Sequence, residues 1–338
     1  MQRCLQLAQL GRAQVSPNPM VGSVIVYNNR IIGEGWHRKY GEPHAEVHAI
    51  NSVKDKSLLA KSTLYVSLEP CAHQGKTPPC SNLITQNNIP KVVVGCRDPF
   101  DAVNGKGINH LKNNGVQVLE GVLEEECKEL NQSFFIYHQK KRPYVVLKWA
   151  QSKDGFIDMD RKPEHKGVHW ISEPTTQTLV HQWRSELDGI LIGINTLLND
   201  DPSLNTRLVK GRNPVKMLID PNQKCQPNMA IFNGLEEVHI FSSKINSSLT
   251  KGKQHLINFE KNPLEQILKI AYQLSLQSIL VEGGAFTLNE FIKNNCWDEA
   301  RIIEGVSTLN KGLMAPKPSG QIIDQYNMGD DLITIWKP

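Results

Sequence analysis

What the 338-residue chain lacks narrows the field first. Its longest apolar run, around residues 189–194, is far short of the roughly 18 residues a membrane span needs, so no spanning segment is expected. Residues 1–14 mix polar and apolar side chains without a signal-peptide core, so no export signal is expected. An excess of one charge is also missing. The 38 Lys and Arg against 34 Asp and Glu leave a net +4, too weak and too scattered for nucleic-acid binding. There is no internal repeat, no low-complexity tract, and neither a GxGxxG nor a GxxxxGK phosphate loop. The seven cysteines include no CxxC pair and are odd in number, which points away from a disulfide framework and toward a reducing cytoplasm. Five of them, Cys4, Cys96, Cys127, Cys225 and Cys296, are expected to pack as small apolar residues.

What is present suffices for about two domains. Strands are expected at 21–27 and 30–35, joined as a hairpin by Asn28-Asn29, and again at 63–68, 91–96 and 116–119. Helical spacing covers 44–53, 81–88, 107–114 and 123–130. Residues 138–143 are polar and basic and end in Pro143, which marks a domain boundary, after which the pattern restarts. Strands are then expected at 144–149, 189–194, 215–220, 238–242, 278–282, 300–304 and 332–336, with helices at 173–187, at 263–274 and after Gly284. Alternating elements of this kind make layered α/β sheets.

The first chemical constellation is His44-Ala-Glu46, followed one strand later by Pro70-Cys71 and Pro79-Cys80. One imidazole and two thiolates supply three ligands of a tetrahedral zinc and leave one position for water. Glu46, two residues beyond His44, can carry a proton without binding metal. A His-x-Glu … Pro-Cys-x-x-Cys pattern is a known zinc-deaminase signature. Here eight residues separate the cysteines rather than two, so the loop with His73, Lys76 and Thr77 should bulge to the rim, within reach of a substrate phosphate. His44 and Cys80 fall near expected helix starts, where the helix dipole favours neutral imidazole and thiolate. Two alternatives stay open: His73 or His48 could close a four-ligand structural site, and His44 and His48 are spaced as in a zincin helix but lack its glutamate directly after the first histidine. His48 otherwise reads as an ordinary helix-face residue.

In the second half, residues 278–282 run into Gly283-Gly284 and then a helix, which lets a phosphate approach backbone N–H groups. The polar stretch 193–207 follows a buried strand and is expected to be a binding loop.

Several motifs then fall into one order. Pro17-Asn-Pro-Met-Val-Gly22, Gly35-Trp-His37, Gly41-Glu-Pro-His-Ala-Glu46 and Glu69-Pro-Cys71 with Thr77-Pro-Pro-Cys80 resemble the deaminase half of the bifunctional riboflavin-biosynthesis deaminase/reductase family. Leu147–Gly155, Trp170-Ile-Ser172, Gly193–Arg207 and Val281-Glu-Gly-Gly284 resemble its reductase half. The resemblance implies an α/β protein with a cytidine-deaminase-like three-layer α/β/α domain at 1–141 and a dihydrofolate-reductase-like α/β domain at 142–338. It implies a zinc-dependent hydrolytic deamination of a diaminopyrimidinone ribosylamine 5′-phosphate. NADPH then reduces the ribosyl chain of the aminouracil product to ribityl. By position it gives His44, Cys71 and Cys80 to zinc and proton transfer to Glu46. Ala150, Trp170, Thr196, Asp200, Gly284, Ala285, Phe286 and Thr287 fall to NADPH. Arg184, Leu204, Arg207, Glu282, Val168, Lys148, Asn18, His37 and Lys76 fall to substrate, with Arg184 and Arg207 suited to its 5′-phosphate.

Nulls compete at Arg184, which could be a solvated helix charge, and at Trp170, which could be core. The chain departs from the family pattern in a long 156–169 stretch, in Val168 where a small hydroxyl residue is expected, and in Pro221. The expected partners are a small phosphorylated pyrimidine and further copies of the chain, as dimer or tetramer, with no nucleic acid and no membrane. The competing readings are a monofunctional zinc deaminase with a non-catalytic binding or oligomerisation domain, and a nucleic-acid deaminase.

Overall fold

The computed structural model describes residues 1–72, 78–161 and 166–338. The chain divides into two compact units, Met1–Lys141 and Arg142–Pro338.

The first unit runs α1 (Gln2–Gln9), β1 (Gly22–Tyr27), β2 (Arg30–Trp36), α2 (Ala45–Ser52), β3 (Thr63–Leu68), α3 (Cys80–Gln86), β4 (Lys91–Cys96), α4 (Lys106–Asn113), β5 (Gln117–Leu119), α5 (Glu124–Leu130) and α6 (Gln132–Lys140). Its sheet has the order β2-β1-β3-β4-β5. β1 is antiparallel to both neighbours, whereas β3, β4 and β5 are parallel. Asn28 and Asn29 both take positive φ, 47° and 58°, the twist a two-residue hairpin turn requires. Ile25, Leu64, Val66, Val92 and Val94 from the strands and Ala49, Ile50, Ile84, Ile108 and Leu111 from the helices close one core.

The second unit continues with β6 (Tyr144–Gln151), β7 (Phe156–Met159), α7 (Pro174–Glu186), β8 (Gly189–Gly193), α8 (Ile194–Asp200), β9 (Val215–Ile219), β10 (Val238–Ser242) and β11 (Lys253–Leu256). It ends with α9 (Pro263–Gln273), β12 (Ser278–Val281), α10 (Ala285–Lys293), β13 (Glu299–Glu304), β14 (Gly312–Met314), β15 (Gln321–Met328) and β16 (Asp331–Lys337). The main sheet has the order β11-β10-β9-β8-β12-β6-β13-β16-β15. It is parallel from β11 through β13 and antiparallel beyond. The central strands β8 and β12 are nearly unbroken apolar runs, as strands covered on both faces tend to be. All four residues of β12 are buried. β8, β12 and β6 are neighbours and end on the same edge, where parallel α/β sheets take their ligands.

Residues 2–9 form the helix α1, and the chain divides after Lys141, within the 138–143 stretch, which is helical through Lys140. One expectation needs correction. The first part of the expected 193–207 loop is the helix α8, with an irregular path only after it. The edge strand β15 has no buried face, so no alternation announces it.

Candidate functional site

His44 is the N-cap residue of α2, yet its side chain makes no capping hydrogen bond. Its Nδ1 faces two sulfurs instead, 3.6 Å from Cys71 Sγ and 3.4 Å from Cys80 Sγ. Cys80 opens α3, and its backbone N–H donates to Cys71 Sγ at 3.4 Å. The three ligand atoms lie within 4.8 Å of one another. A tetrahedral zinc with bonds of about 2.3 Å to sulfur and about 2.0–2.1 Å to nitrogen sets S···N separations near ~3.6 Å, so the donor set fits that ion. The hydrogen bond from the Cys80 thiol holds the Cys71 thiol well below its ordinary range against the opposing effect of burial, and His44 and the Cys80 N–H add to it. A thiolate is the form that binds metal.

Glu46, in the first turn of α2, is 3% exposed and adjoins the Cys80 thiol. Burial raises its carboxyl to about 7, only partly offset by His44. A carboxyl that titrates near neutrality can both take and return a proton. Among the described residues no fourth side chain joins the three donors. His48 stays outside the cluster, and His73, Lys76 and Thr77 lie outside the described residues.

His37 calls for a correction. It is buried, with Nδ1 on the Pro43 carbonyl at 3.1 Å and Nε2 against the Asn18 side-chain nitrogen at 3.0 Å. Burial pushes its pKa down, so the neutral ring donates from Nδ1 and accepts at Nε2. Its nitrogens therefore serve the protein, and Asn18 is the group it presents. Sequence reasoning also gave Glu69 no role. This buried carboxylate accepts four backbone N–H groups, from Asp98, Gly105, Gly107 and Ile108. It ties the start of α4 to the segment leading into Cys71. Gly107 must be glycine there, because a Cβ would come 1.8 Å from the Pro70 carbonyl oxygen. An acid directly before Pro-Cys was the available signal.

In the second unit Ala150 lies near the end of β6, Thr196 lies on α8 directly after β8, and Glu282 and Gly284 follow β12. Gly193 N–H donates to the Gly283 carbonyl at 3.2 Å, which joins the exits of β8 and β12. The Thr196 hydroxyl would lie 3.3 Å from a Cβ placed on Gly284, and the Thr287 hydroxyl 2.6 Å from one on Gly193. Trp170 is 55% exposed and Phe286 77%, so neither belongs to the core. Val168 is exposed as well, and Ala150 near the end of β6 is half-buried. Asp200 ends α8 and pairs with Arg161 at 3.1 Å, which also pairs with Asp158 and so ties α8 to β7.

The charged centre of this unit is Glu282, directly after β12. Arg184 of α7 grips it in a two-pronged ion pair of 2.7 and 2.6 Å. Burial alone would raise the Glu282 carboxyl, but Arg184 and Lys148 outweigh it and hold it at about 2. Arg184 is therefore neither a solvated helix charge nor a free phosphate fork. Its guanidinium is committed to Glu282 and the Asn205 carbonyl, which leaves Arg207 for an anion. Leu204 also needs correction, since its side chain is buried with Ile190, Ile192 and Leu218 and only its backbone can face a substrate.

A His/Cys/Cys metal centre beside a buried glutamate defines a zinc deaminase unit, and a mostly parallel sheet with a ligand-ready carboxyl edge accompanies it. Residues 1–96 match the cytidine and deoxycytidylate deaminase zinc-binding region family, and residues 143–305 match the RibD C-terminal domain family. The riboflavin biosynthesis protein RibD of Aquifex aeolicus (strain VF5) is 36% identical over 352 residues, covering 100% of this chain and 97% of that protein. A crystal structure from Thermotoga maritima is described as a diaminohydroxyphosphoribosylaminopyrimidine deaminase/5-amino-6-(5-phosphoribosylamino)uracil reductase. It superposes with a TM-score of 0.89 at 35% identity, covering 100% of this chain and 97% of that one. RibD of Acinetobacter baumannii gives a TM-score of 0.90 at 30% identity, with the same coverage. The chain belongs to the RibD family of riboflavin biosynthesis proteins.

Proposed function

We propose that this chain carries out two successive steps of riboflavin synthesis, with residues 1–141 as the zinc-dependent deaminase domain and 142–338 as the NADPH-dependent reductase domain. The first step is hydrolytic deamination of 2,5-diamino-6-(5-phosphoribosylamino)pyrimidin-4(3H)-one. The second reduces the ribosyl side chain of 5-amino-6-(5-phosphoribosylamino)uracil to ribityl. The observation that carries the reading is the zinc-compatible spacing of His44 Nδ1 and the two sulfurs beside a buried Glu46.

His44, Cys71 and Cys80 would hold the zinc, which when bound would supply water activation at neutral pH. Glu46 takes the proton from water at its carboxylate and returns it to the departing amine, which leaves as ammonia. Asn18, steadied by His37, offers amide contacts to the pyrimidine. Bound NADPH would supply the hydride for C1′ of the second substrate, and the protein's own task is alignment. Thr196, Asp200 and the Gly284–Thr287 start of α10 hold the cofactor, Trp170 and Phe286 offer it apolar surface, Lys148 and Glu282 face the substrate, and Arg207 takes its phosphate. Lys76 remains a candidate for the first substrate's phosphate. Clustering of Thr196, Gly284 and Thr287 favours a working reductase over a degenerate binding module.

Among the described residues no helix is long and apolar enough to cross a membrane. A cytoplasmic setting is inferred from the seven free cysteines, and a homodimer or tetramer from the family resemblance. Metal analysis and NADPH titration of one purified sample test the reading. About one zinc and one NADPH per chain support it, and absence of either removes the corresponding step.

A further inference from the structure

The helix α7 carries His181, which is buried, and Arg184, which is half-buried, one turn apart on the same face. Both reach the irregular segment that follows α8. Arg184 donates to the Asn205 carbonyl at 3.3 Å, and His181 Nδ1 accepts the backbone N–H of Arg207 at 3.1 Å. Between them the Thr206 N–H donates to Asn213 Oδ1 at 2.6 Å, and the Arg207 guanidinium donates to Asn205 Oδ1 at 3.3 Å. The segment enters this grip through Leu204, a non-glycine residue at φ 54°. A left-handed backbone of this kind persists only where its surroundings over-determine it.

We propose that His181 is a positioning residue of the reductase, which pins the Arg207 backbone so that the guanidinium is aimed at the substrate phosphate. The proposal rests on the assignment of Arg207 to that phosphate. An Nδ1 that accepts must belong to a neutral ring protonated on Nε2. The surroundings keep it neutral: burial first, then the cations Arg184, Arg207 and Lys148, against Glu282 alone, bring its pKa down to about 4. Protonation would turn the acceptor into a donor facing the Arg207 N–H, so the arrangement holds throughout the neutral range. His181 touches neither the nicotinamide site nor Glu282 in a hydrogen bond, so its effect should fall on substrate binding alone.

His181→Leu and His181→Asn separate this role from simple packing, because the Asn amide oxygen can replace Nδ1 as acceptor. For His181→Leu the KM of the deaminated substrate should rise about tenfold with kcat within about twofold, as expected when one hydrogen bond that orients a binding group is lost. NADPH affinity, which also reports that the unit has folded, should not change, and neither should deamination. His181→Asn should recover KM to within about threefold of the parent, since one acceptor is restored. The ratio of substrate KM between His181→Leu and the parent should stay constant from pH 8 to about 5.5, because the substrate phosphate titrates alike in both and His181 does not titrate in that range. An unchanged KM in His181→Leu, or an Asn variant as impaired as the Leu variant while still binding NADPH, overturns the proposal. Arg207→Ala, measured alongside, distinguishes the failures. An unchanged KM there sinks the phosphate assignment itself, whereas a raised KM with an unaffected His181→Leu sinks only the positioning role.

Discussion

At His44, Cys71 and Cys80 three donors meet within 4.8 Å, two of them at helix starts, whereas around Glu282 the second unit gathers charges from β6 and α7. The first centre draws its chemistry from what a few adjacent residues are. The second draws it from how separated segments are held. In the deaminase unit the supporting carboxylate Glu69 binds only backbone N–H groups, and a hydrogen-bonded thiol keeps Cys71 ready to bind metal. In the reductase unit the supporting carboxylate is itself the hub, and two cations depend on it. One lost donor should therefore abolish the first activity, while losses in the second should be graded.

The contrast breaks most sharply at the metal. Cys71→Ala should eliminate bound zinc and lower deamination at least about 10³-fold, since water loses its activation. NADPH oxidation with the deaminated substrate supplied should stay at the parent level, and paired assays on the same preparation check both. Glu46→Gln should keep about one zinc per chain yet lower deamination by roughly 10²- to 10⁴-fold, the range for a lost proton carrier. Full activity there would remove Glu46 from the chemistry.

Glu282→Gln sharpens the other side. It leaves Arg184 and Lys148 buried without their counter-charge, and denaturant unfolding of the second unit should register a loss of about 3 kcal/mol. Because Glu282 is held at about 2 against an ordinary 4.5, its stabilisation is complete above pH 4.5 and fades as pH falls toward 2. The stability difference between parent and variant should shrink across that window, and a difference constant with pH would contradict the pairing. The smallest effect belongs to Trp170→Ala. Its indole is 55% exposed, so stability should move by less than about 0.5 kcal/mol while the KM for NADPH rises a few-fold.

The same contrast explains what the sequence could reveal. His44, Glu46, Cys71 and Cys80 are legible because zinc chemistry demands particular side chains at short spacings. The parallel strands β8 and β12 were legible as apolar runs, whereas the parallel edge strand β11, with the sequence KQHL, was not. β15 was not, because an exposed edge carries no periodicity, and α8 hid in a polar stretch that reads as loop. Roles set by long-range pairing stayed hidden for a different reason. Nothing in the local pattern says that Arg184 meets a residue 98 positions away, that His37 turns inward to Asn18, or that His181 reaches Arg207. Such roles depend on which segments the sheet order places side by side.

The most direct measurement is NADPH oxidation by zinc-depleted protein, supplied in turn with the diaminopyrimidinone substrate and with its deaminated product. Oxidation should cease with the first, persist with the second, and return with the first once zinc is restored. Undiminished oxidation with the diaminopyrimidinone, or an equal loss with both that zinc does not reverse, would contradict two separate chemistries on one chain.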